Sequence, residues 1–463
     1  MLKLYNSLSK KVEEFTPIKD GEVKMYVCGP TVYDKAHLGH ARCYITWDIL
    51  YRYLKFLGYK TTYCRNVTDV DDKILKKADE AGVEPSEIAE TYYKSFTDSM
   101  TALNCLKPDV EPRATKTIGE MIAINKKLIE KGHAYVSGGD VYFDVKSFKG
   151  YGKLSHQPID DLMAGARVEA GDKKKSPLDF ALWKEDLKHG YNSPWSKGRP
   201  GWHIECSAMS RKYLGEQIDI HAGGADLIFP HHENEIAQSE CANDCNFVNY
   251  FLHNGFVTIN KEKMSKSLGN FLTADDLLQK FDSNTIRFFI ITNHYRMPVE
   301  FSEGALESAQ AGVKRIIKMG REGELRDEAS IQEFTDAMNY DLNTSRALAV
   351  LFSLTDKIKQ AEHKALYENT LFYLASVLGF NFDLREKEEI TDEALGEIIA
   401  PLYEKYDIEK TVAPKELLVD IIKIRTEARA NKDWAKSDEI RDELAGYGIS
   451  LKDSKEGTTW EIN

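Results

Sequence analysis

Long apolar runs are missing from this chain. The longest of them, such as Phe288-Phe289-Ile290-Ile291, are far too short to cross a bilayer, which takes ~20 residues of helix. Met1 to Lys11 holds no long apolar stretch either, so no secretory signal is expected. Cysteine is sparse and odd in number: seven in 463 residues. In a large chain with no export signal, that count excludes a disulfide framework and points to reduced thiols or metal ligands. Excess positive charge is lacking too. The formal net charge of −12 gives no global attraction to nucleic acid, although a basic face can persist locally on an acidic chain. What the chain does have is 42% apolar residues and 11% aromatics, enough for a globular protein throughout. Its length implies two to four domains. The expectation is a soluble, cytoplasmic protein with no membrane partner.

The order of elements points to an α/β fold. Val23 to Cys28 reads as a buried strand broken by Gly29-Pro30-Thr31. An amphipathic helix follows from about His40 to Leu57, stopped by Gly58, and Lys60 to Cys64 is the next strand. Strand, loop, helix and strand in this order begin a parallel α/β unit. Ligands in such folds sit beyond the carboxyl ends of the strands, where the loop from Cys28 to His40 falls. Residues 73 to about 135 are mostly helical in pattern, and 136 to 200, rich in Gly, Lys, Pro and aromatics, read as an insertion. The α/β pattern resumes at Trp202 to Ser210, Ile218 to His221 and Tyr250 to Asn254. From Ala274 to about Leu378 the pattern is almost wholly helical. A smaller unit from Thr411 to Asn463 begins in helix and ends in a strand pair, Ile449 to Leu451 with Thr458 to Ile462. No internal repeat is evident.

Two short segments carry phosphate chemistry. His37-Leu38-Gly39-His40 offers two imidazoles at a helix entry, with Gly39 leaving the backbone open to close approach. Lys263-Met264-Ser265-Lys266-Ser267 offers two ammonium groups in a stretch flanked by Gly and Asn. His221-Ala222-Gly223-Gly224 followed by Asp226 adds a backbone surface for adenine and an acceptor for a ribose. Cys28 and Cys206 are the thiols best placed to serve a ligand. His231 and Glu235 lie four apart, hence on one face if helical; Pro230 suits the first turn of that helix. A set of two Cys, one His and one Glu suits Zn²⁺, although spacing alone does not choose His231 over His232. Cys241 and Cys245 form a rival pair that reads as small core residues; Cys43, Cys64 and Cys105 read as core as well. Asp69, Asp71 and Asp72 read as a cap and first-turn charge for the following helix.

The first two segments together resemble the signature pair of class I aminoacyl-tRNA synthetases, with Leu38 where Ile is commonest. Four further segments are similar to those of the cysteinyl-tRNA synthetase family: Cys28 to Asp34, Asn66 to Lys73, Gly201 to Ser207 and Phe229 to Glu235. The likeness spans essentially the whole chain. It implies a Rossmann-like parallel-sheet catalytic domain with an insertion, a helical bundle and a small α+β C-terminal domain. In residues, the catalytic halves are 1–120 and 201–260, with the insertion at 121–200. A mobile loop and stem-contact region spans 261–320, a tRNA-binding bundle 321–400 and an anticodon-binding domain 401–463.

The resemblance also implies an activity: ATP-dependent activation of L-cysteine to cysteinyl-adenylate, then transfer to tRNA(Cys), with Mg²⁺ accompanying ATP. It assigns one Zn²⁺ to Cys28, Cys206, His231 and Glu235, binding the substrate sulfur. Catalysis falls to His37, His40, Lys263 and Lys266, and ATP binding to His37, Gly39, His40, Gly223, Gly224, Asp226 and Lys266. Cys28, Gly29, Thr31, Trp202 and His221 form the amino-acid pocket, with Trp202 as a wall and His221 packed over the substrate, although each of these two equally suits a core position. Arg425, Arg429, Lys432, Trp434 and Lys436 make a basic, aromatic stretch for unpaired bases of tRNA. A monomer is implied. Two rivals exist: a ligase transferring cysteine to a small amine, which the unit from Thr411 onward argues against, and a non-catalytic zinc-stabilised RNA binder, which has no use for Lys266.

Overall fold

The computed structural model describes residues 1–158, 173–259, 262–263, 272–384, 392–454 and 457–462. Four strands form a fully parallel sheet in the order Val248–Asn254, Ile218–Gly224, Glu22–Val27 and Lys60–Arg65. Each is buried on both faces, as strands of a parallel sheet must be, and the four anticipated strands all belong to it. Their carboxyl ends bring Cys28, Asn66, Gly224 and Asn254 to one edge.

The helix after the first strand spans Leu38–Phe56, two residues longer at its start than its apolar pattern indicates. The reason is its cap. His37 Nδ1 accepts the His40 N–H at 3.2 Å, and His40 Nδ1 accepts the His37 N–H at 3.3 Å. This is a reciprocal capping box made from two histidines in place of the usual Ser and Glu. At the other end Gly58, at φ +89°, turns the chain out of the helix.

The insertion is built as an antiparallel sheet in the order Ala134–Ser137, Asp140–Phe143, Phe180–Glu185, Lys197–Pro200 and Tyr191–Asn192. Its strands are two to six residues long and broken by Gly, Lys and Pro, too short for a period of two to stand out. The stretch from Ala274 is not wholly helical. Val299–Phe301 pairs in parallel with Val257–Ile259, which pairs antiparallel with Glu262–Lys263. Helices Glu303–Met319, Glu328–Asn339, Thr344–Gln360 and Ala365–Val377 follow. Asp71 caps the helix Asp72–Ala81 as expected, whereas Asp69 accepts the N–H and hydroxyl of Thr115.

By compactness the chain divides into Met1–Arg385 and Glu386–Asn463. The second unit packs helices Asp392–Lys405, Pro414–Ala430 and Trp434–Gly446 around Leu395, Ile399, Leu417, Ile421 and Ile440. It closes with a hairpin pairing Ile449 with Ile462. Among the described residues no helix is long and apolar enough to cross a membrane.

Candidate active site and metal-ligand cluster

A cleft of about 580 Å³ opens at the carboxyl edge of the parallel sheet. Cys28, Gly29, Thr31 and Trp202 line it at one end, and His37, Gly39, His40, Gly224 and Asp226 line it too. The sequence assigned each of these to ATP or amino acid, and the fold brings them into one cavity. The His37 and His40 rings stack, with centroids 3.7 Å apart. Because both Nδ1 atoms accept main-chain N–H groups, each neutral ring carries its proton on Nε2. Burial, and then the neighbouring His37, hold His40 well below its ordinary pKa. The motif therefore presents neutral N–H donors, not imidazolium charges.

The thiols meet at the same edge. Cys28 ends its strand, and Cys206 sits in the second turn of the helix Trp202–Leu214. His231 and Glu235 come from a chain that turns at Ile228–His232 and becomes α-helical at Glu233–Asn243. Phe229 is extended, so Pro230 opens the helical turn that runs on into Glu233–Asn243, as a first-turn proline does. Cys28 Sγ lies 3.9 Å from Cys206 Sγ and 3.7 Å from Glu235 Oε1, and His231 Nε2 lies 3.0 Å from Glu235 Oε1. All four ligand atoms lie within 4.8 Å of one another, and all four residues are buried.

The four groups shift one another's protonation. The hydrogen bond from Cys28 draws the Cys206 thiol down to about 6, while burial pushes Cys28 well up. Burial opposes charge on Glu235, yet His221 and His231 hold it at about 2. His231 rises to about 10 against its own burial, chiefly through Glu235. A second grouping, Cys28, His221, His232 and Glu235, is also compact. There His221 Nε2 is engaged with Glu235 Oε2 at 2.9 Å, while His232, bonded to His253 through Nδ1, turns Nε2 to Cys28 Sγ at 3.3 Å. The first grouping has two thiols and is the softer donor set.

Other assigned residues fall elsewhere. His221 is fully buried behind Glu235, and its ring orients that carboxylate instead of covering the cleft. Gly223 sits behind Gly224, where a Cβ would meet Leu227 at 2.8 Å. Trp202 packs against the His231 ring at a tilt of 35°, with centroids 4.3 Å apart. The backbone of Lys263 lies in its strand pair, and Lys266 lies outside the described residues.

Sequence descriptions of known families match three stretches. "tRNA synthetases class I (C) catalytic domain" covers residues 14–311, "DALR domain" covers 333–383 and "Cysteinyl-tRNA ligase anticodon binding domain" covers 419–460. The cysteine–tRNA ligase of Geobacter metallireducens is 46% identical, over 100% of this chain and 99% of its own. That of Geobacillus sp. strain WCH70 is 47% identical over 99% of each chain. The chain belongs to the cysteine–tRNA ligase family. Among solved structures, Mycobacterium tuberculosis methionyl-tRNA synthetase with methionyl-adenylate aligns at a TM-score of 0.57 and 15% identity, covering 77% of this chain and 89% of that one. The LeuRS of Agrobacterium radiobacter K84, in a ternary complex, aligns at 0.57 and 11% identity, covering 79% and 84%. At that identity they establish the class I synthetase fold.

In the C-terminal unit, Arg429, Lys432, Trp434 and Lys436 are exposed, and Trp434 keeps 58% of its surface. Arg425 is 3% exposed on the inner face of its helix, which corrects its placement in a surface stretch. Three residues escaped the sequence reading. Asn66 Oδ1 accepts the Gly29 N–H at 2.8 Å and lies 3.7 Å from Cys206 Sγ, bridging the two thiol-bearing segments. His203 Nδ1 lies 2.9 Å from His231 Nδ1. Arg42 lines the cleft from the helix behind His40. Asn66 and His203 both stand inside the family-like segments; Arg42 stood out only as a cation on a buried helix face.

Proposed function

We propose that this enzyme activates L-cysteine with ATP and transfers it to the 3′-terminal adenosine of tRNA(Cys), selecting its substrate through a zinc ion held by Cys28, Cys206, His231 and Glu235. The carrying observation is the donor geometry. Tetrahedral zinc with Zn–S near 2.3 Å requires sulfurs about 3.8 Å apart, against 3.9 Å between Cys28 and Cys206. Family membership supplies the ligase activity, and the rival that acylates a small amine gains no support beside the anticodon-binding match.

In the first step a carboxylate oxygen of cysteine attacks the α-phosphorus of ATP, and pyrophosphate leaves. The attacker is already an anion, so no general base is required; positioning and charge stabilisation suffice. His37 and His40 donate Nε2–H bonds to phosphate oxygens as charge builds, and Lys266, with Mg²⁺ on ATP, neutralises the departing pyrophosphate. Gly224 and Asp226 seat the nucleoside. Cys43 also lines the cleft, but burial pushes its thiol up to about 12. It stays protonated and does not compete for the activated acyl group. In the second step a ribose hydroxyl of the terminal adenosine attacks the adenylate carbonyl, releasing AMP.

Bound zinc would supply a ligand position that favours thiolate over alcohol. Serine differs from cysteine by one heavy atom, and pocket shape discriminates such a change by only about 1–3 kcal/mol. Metal coordination turns the difference into one of softness and acidity. His221 and His203 orient Glu235 and His231 from behind, as partners of metal ligands commonly do. The test is pyrophosphate exchange with cysteine, with serine as control, before and after zinc removal. Exchange should be specific to cysteine and lost with the metal. Equal exchange with serine would overturn the metal-recognition reading.

A further inference from the structure

Arg42 is 1% exposed, two residues beyond the His37–His40 motif. Among the described residues, every hydrogen bond its guanidinium donates goes to a main-chain carbonyl. Nη1 reaches Ile290, and Nη2 reaches His294, Tyr295 and Met297 at 3.2, 3.0 and 3.1 Å. These carbonyls form an arch after the helix Ser283–Ile291. A buried cation facing only carbonyls is costly unless those dipoles are held in place. Here it satisfies one of the orphan carbonyls at a helix C-terminus and sits at the negative end of the helix dipole.

The far side of the arch leads to Lys263, the first residue of the second nucleotide motif. Gly255 N donates to Tyr295 O at 2.8 Å, and Val299 N donates to Phe256 O at 2.9 Å. The strand Val257–Ile259 then pairs through Thr258 with Lys263, where the lysine segment begins. The segment's other end returns to the histidine motif directly: Leu38 N donates to Leu272 O at 3.0 Å, and Ala274 N to Ala36 O at 2.8 Å. Thus, among the described residues, one end of the lysine segment is stitched to the first motif by main-chain bonds, and the other adjoins the arch that Arg42 fills.

We propose that Arg42 is a positioning residue for adenylate formation, holding the arch 290–297 against the histidine helix and so fixing the spacing between the two nucleotide motifs. It acts on ATP and its phosphates and not on the cysteine end of the cleft. This rests on the reading that the cleft binds ATP. The planar fork is what the site requires, because a lysine keeps the charge but cannot span carbonyls of Ile290, Tyr295 and Met297 at once.

The test is Arg42→Lys in the full chain, assayed by cysteine-dependent pyrophosphate exchange at varied ATP, with cysteine affinity and zinc content measured separately. A misplacement of about 1 Å costs on the order of 100-fold in rate, so kcat/KM for ATP should fall by ~10–100-fold. Cysteine affinity and zinc content should match the parent protein. Gly255→Ala gives a second perturbation of the arch, since its Cβ would meet Met297 O at 2.6 Å; it should raise the KM for ATP in the same way. ATP kinetics within about twofold of the parent in a folded Arg42→Lys protein, or in Gly255→Ala where Arg42→Lys does not fold, overturn the proposal. Parallel loss of cysteine affinity and zinc in the variants also overturns it, because that is general unfolding. If the parent protein itself shows no exchange, the fault lies with the reading of the cleft and not with Arg42.

Discussion

Gly29→Ala tests the geometry of the cluster without touching a ligand. An alanine Cβ at this position would lie 1.5 Å from the Asn66 carbonyl oxygen and 2.5 Å from its carbon, where real Cβ contacts essentially never fall below 3.0 Å. The two backbones must therefore separate by at least 3.0 − 1.5 = 1.5 Å. Neither gives easily. Val32 N donates to Thr68 O and Thr68 N to Pro30 O, both at 3.1 Å, so the segments are zipped beyond the clash. Overpacking typically costs about 1–3 kcal/mol, and losing the bond from Gly29 N to Asn66 adds about 1 kcal/mol; together the loss is about 2–4 kcal/mol. The second consequence is chemical. Zinc sites tolerate about 0.2 Å in ligand distances, and the displaced strand end carries Cys28. The variant should melt at lower temperature, hold substoichiometric zinc by atomic absorption, and lose cysteine-dependent exchange. Gly304→Ala is the control, since nothing lies within 4 Å of its Cβ, and it should be neutral or slightly stabilising. An unchanged melting temperature with full zinc in Gly29→Ala would refute the steric argument.

Three further outcomes are expected. Lys266→Ala should slow adenylate formation by ~100-fold or more while leaving cysteine binding unchanged; equal rates would remove Lys266 from the mechanism. Trp434→Ala should weaken charging of tRNA by the ~1–3 kcal/mol that a base–aromatic stack provides, with pyrophosphate exchange untouched. Equal charging efficiency would show that Trp434 meets no base. Glu443 is held below its ordinary 4.5: burial raises it, but the hydrogen bonds from Lys405 and Tyr406 outweigh burial. Its stabilising contribution is thus present above about pH 4.5 and lost as pH falls through the lower folded value. Glu443→Gln should flatten the acid limb of unfolding of Glu386–Asn463 below that pH, read by circular dichroism; an unaltered acid limb would contradict the sign.

The sheet and the nucleotide motifs were legible because they are local. A strand, a Gly-Pro break and an amphipathic helix within forty residues specify one α/β unit, and the histidine spacing matters only because a helix begins there. Even so, what the histidines do was hidden. Pattern alone shows two rings near one ligand. The structure adds that each ring caps the other's backbone, which fixes the tautomer and makes both neutral donors. The insertion's strands were illegible because its hydrogen bonds are cross-strand and its residues turn-rich. Arg425 misled for a related reason: a helix with Arg425 and Arg429 four apart looks basic on one face, yet Arg425 is buried on that helix along with Leu418 and Ile422.

The metal cluster shows where local reading stops. His231 and Glu235 share a face by helical spacing, but nothing in their spacing prefers His231 over His232. What separates them is a pair of long-range partners. His232 is engaged by His253, a strand away, and its Nε2 lies 3.3 Å from Cys28 Sγ. His231 is engaged by His203 from the helix that also carries Cys206. The two histidines thus differ in partners that lie 28 and 21 positions away along the chain. The same holds for the thiols, whose 3.9 Å separation is set by Asn66, a neutral amide bonded to Gly29 and in reach of Cys206. Asn66→Ala should then release Cys28 from Cys206 and lower zinc affinity by 10–100-fold, the usual effect of removing a partner behind a metal ligand, while ATP binding at the histidine end stays as it was. Full zinc affinity in Asn66→Ala would mean that the two strand ends hold their spacing without it.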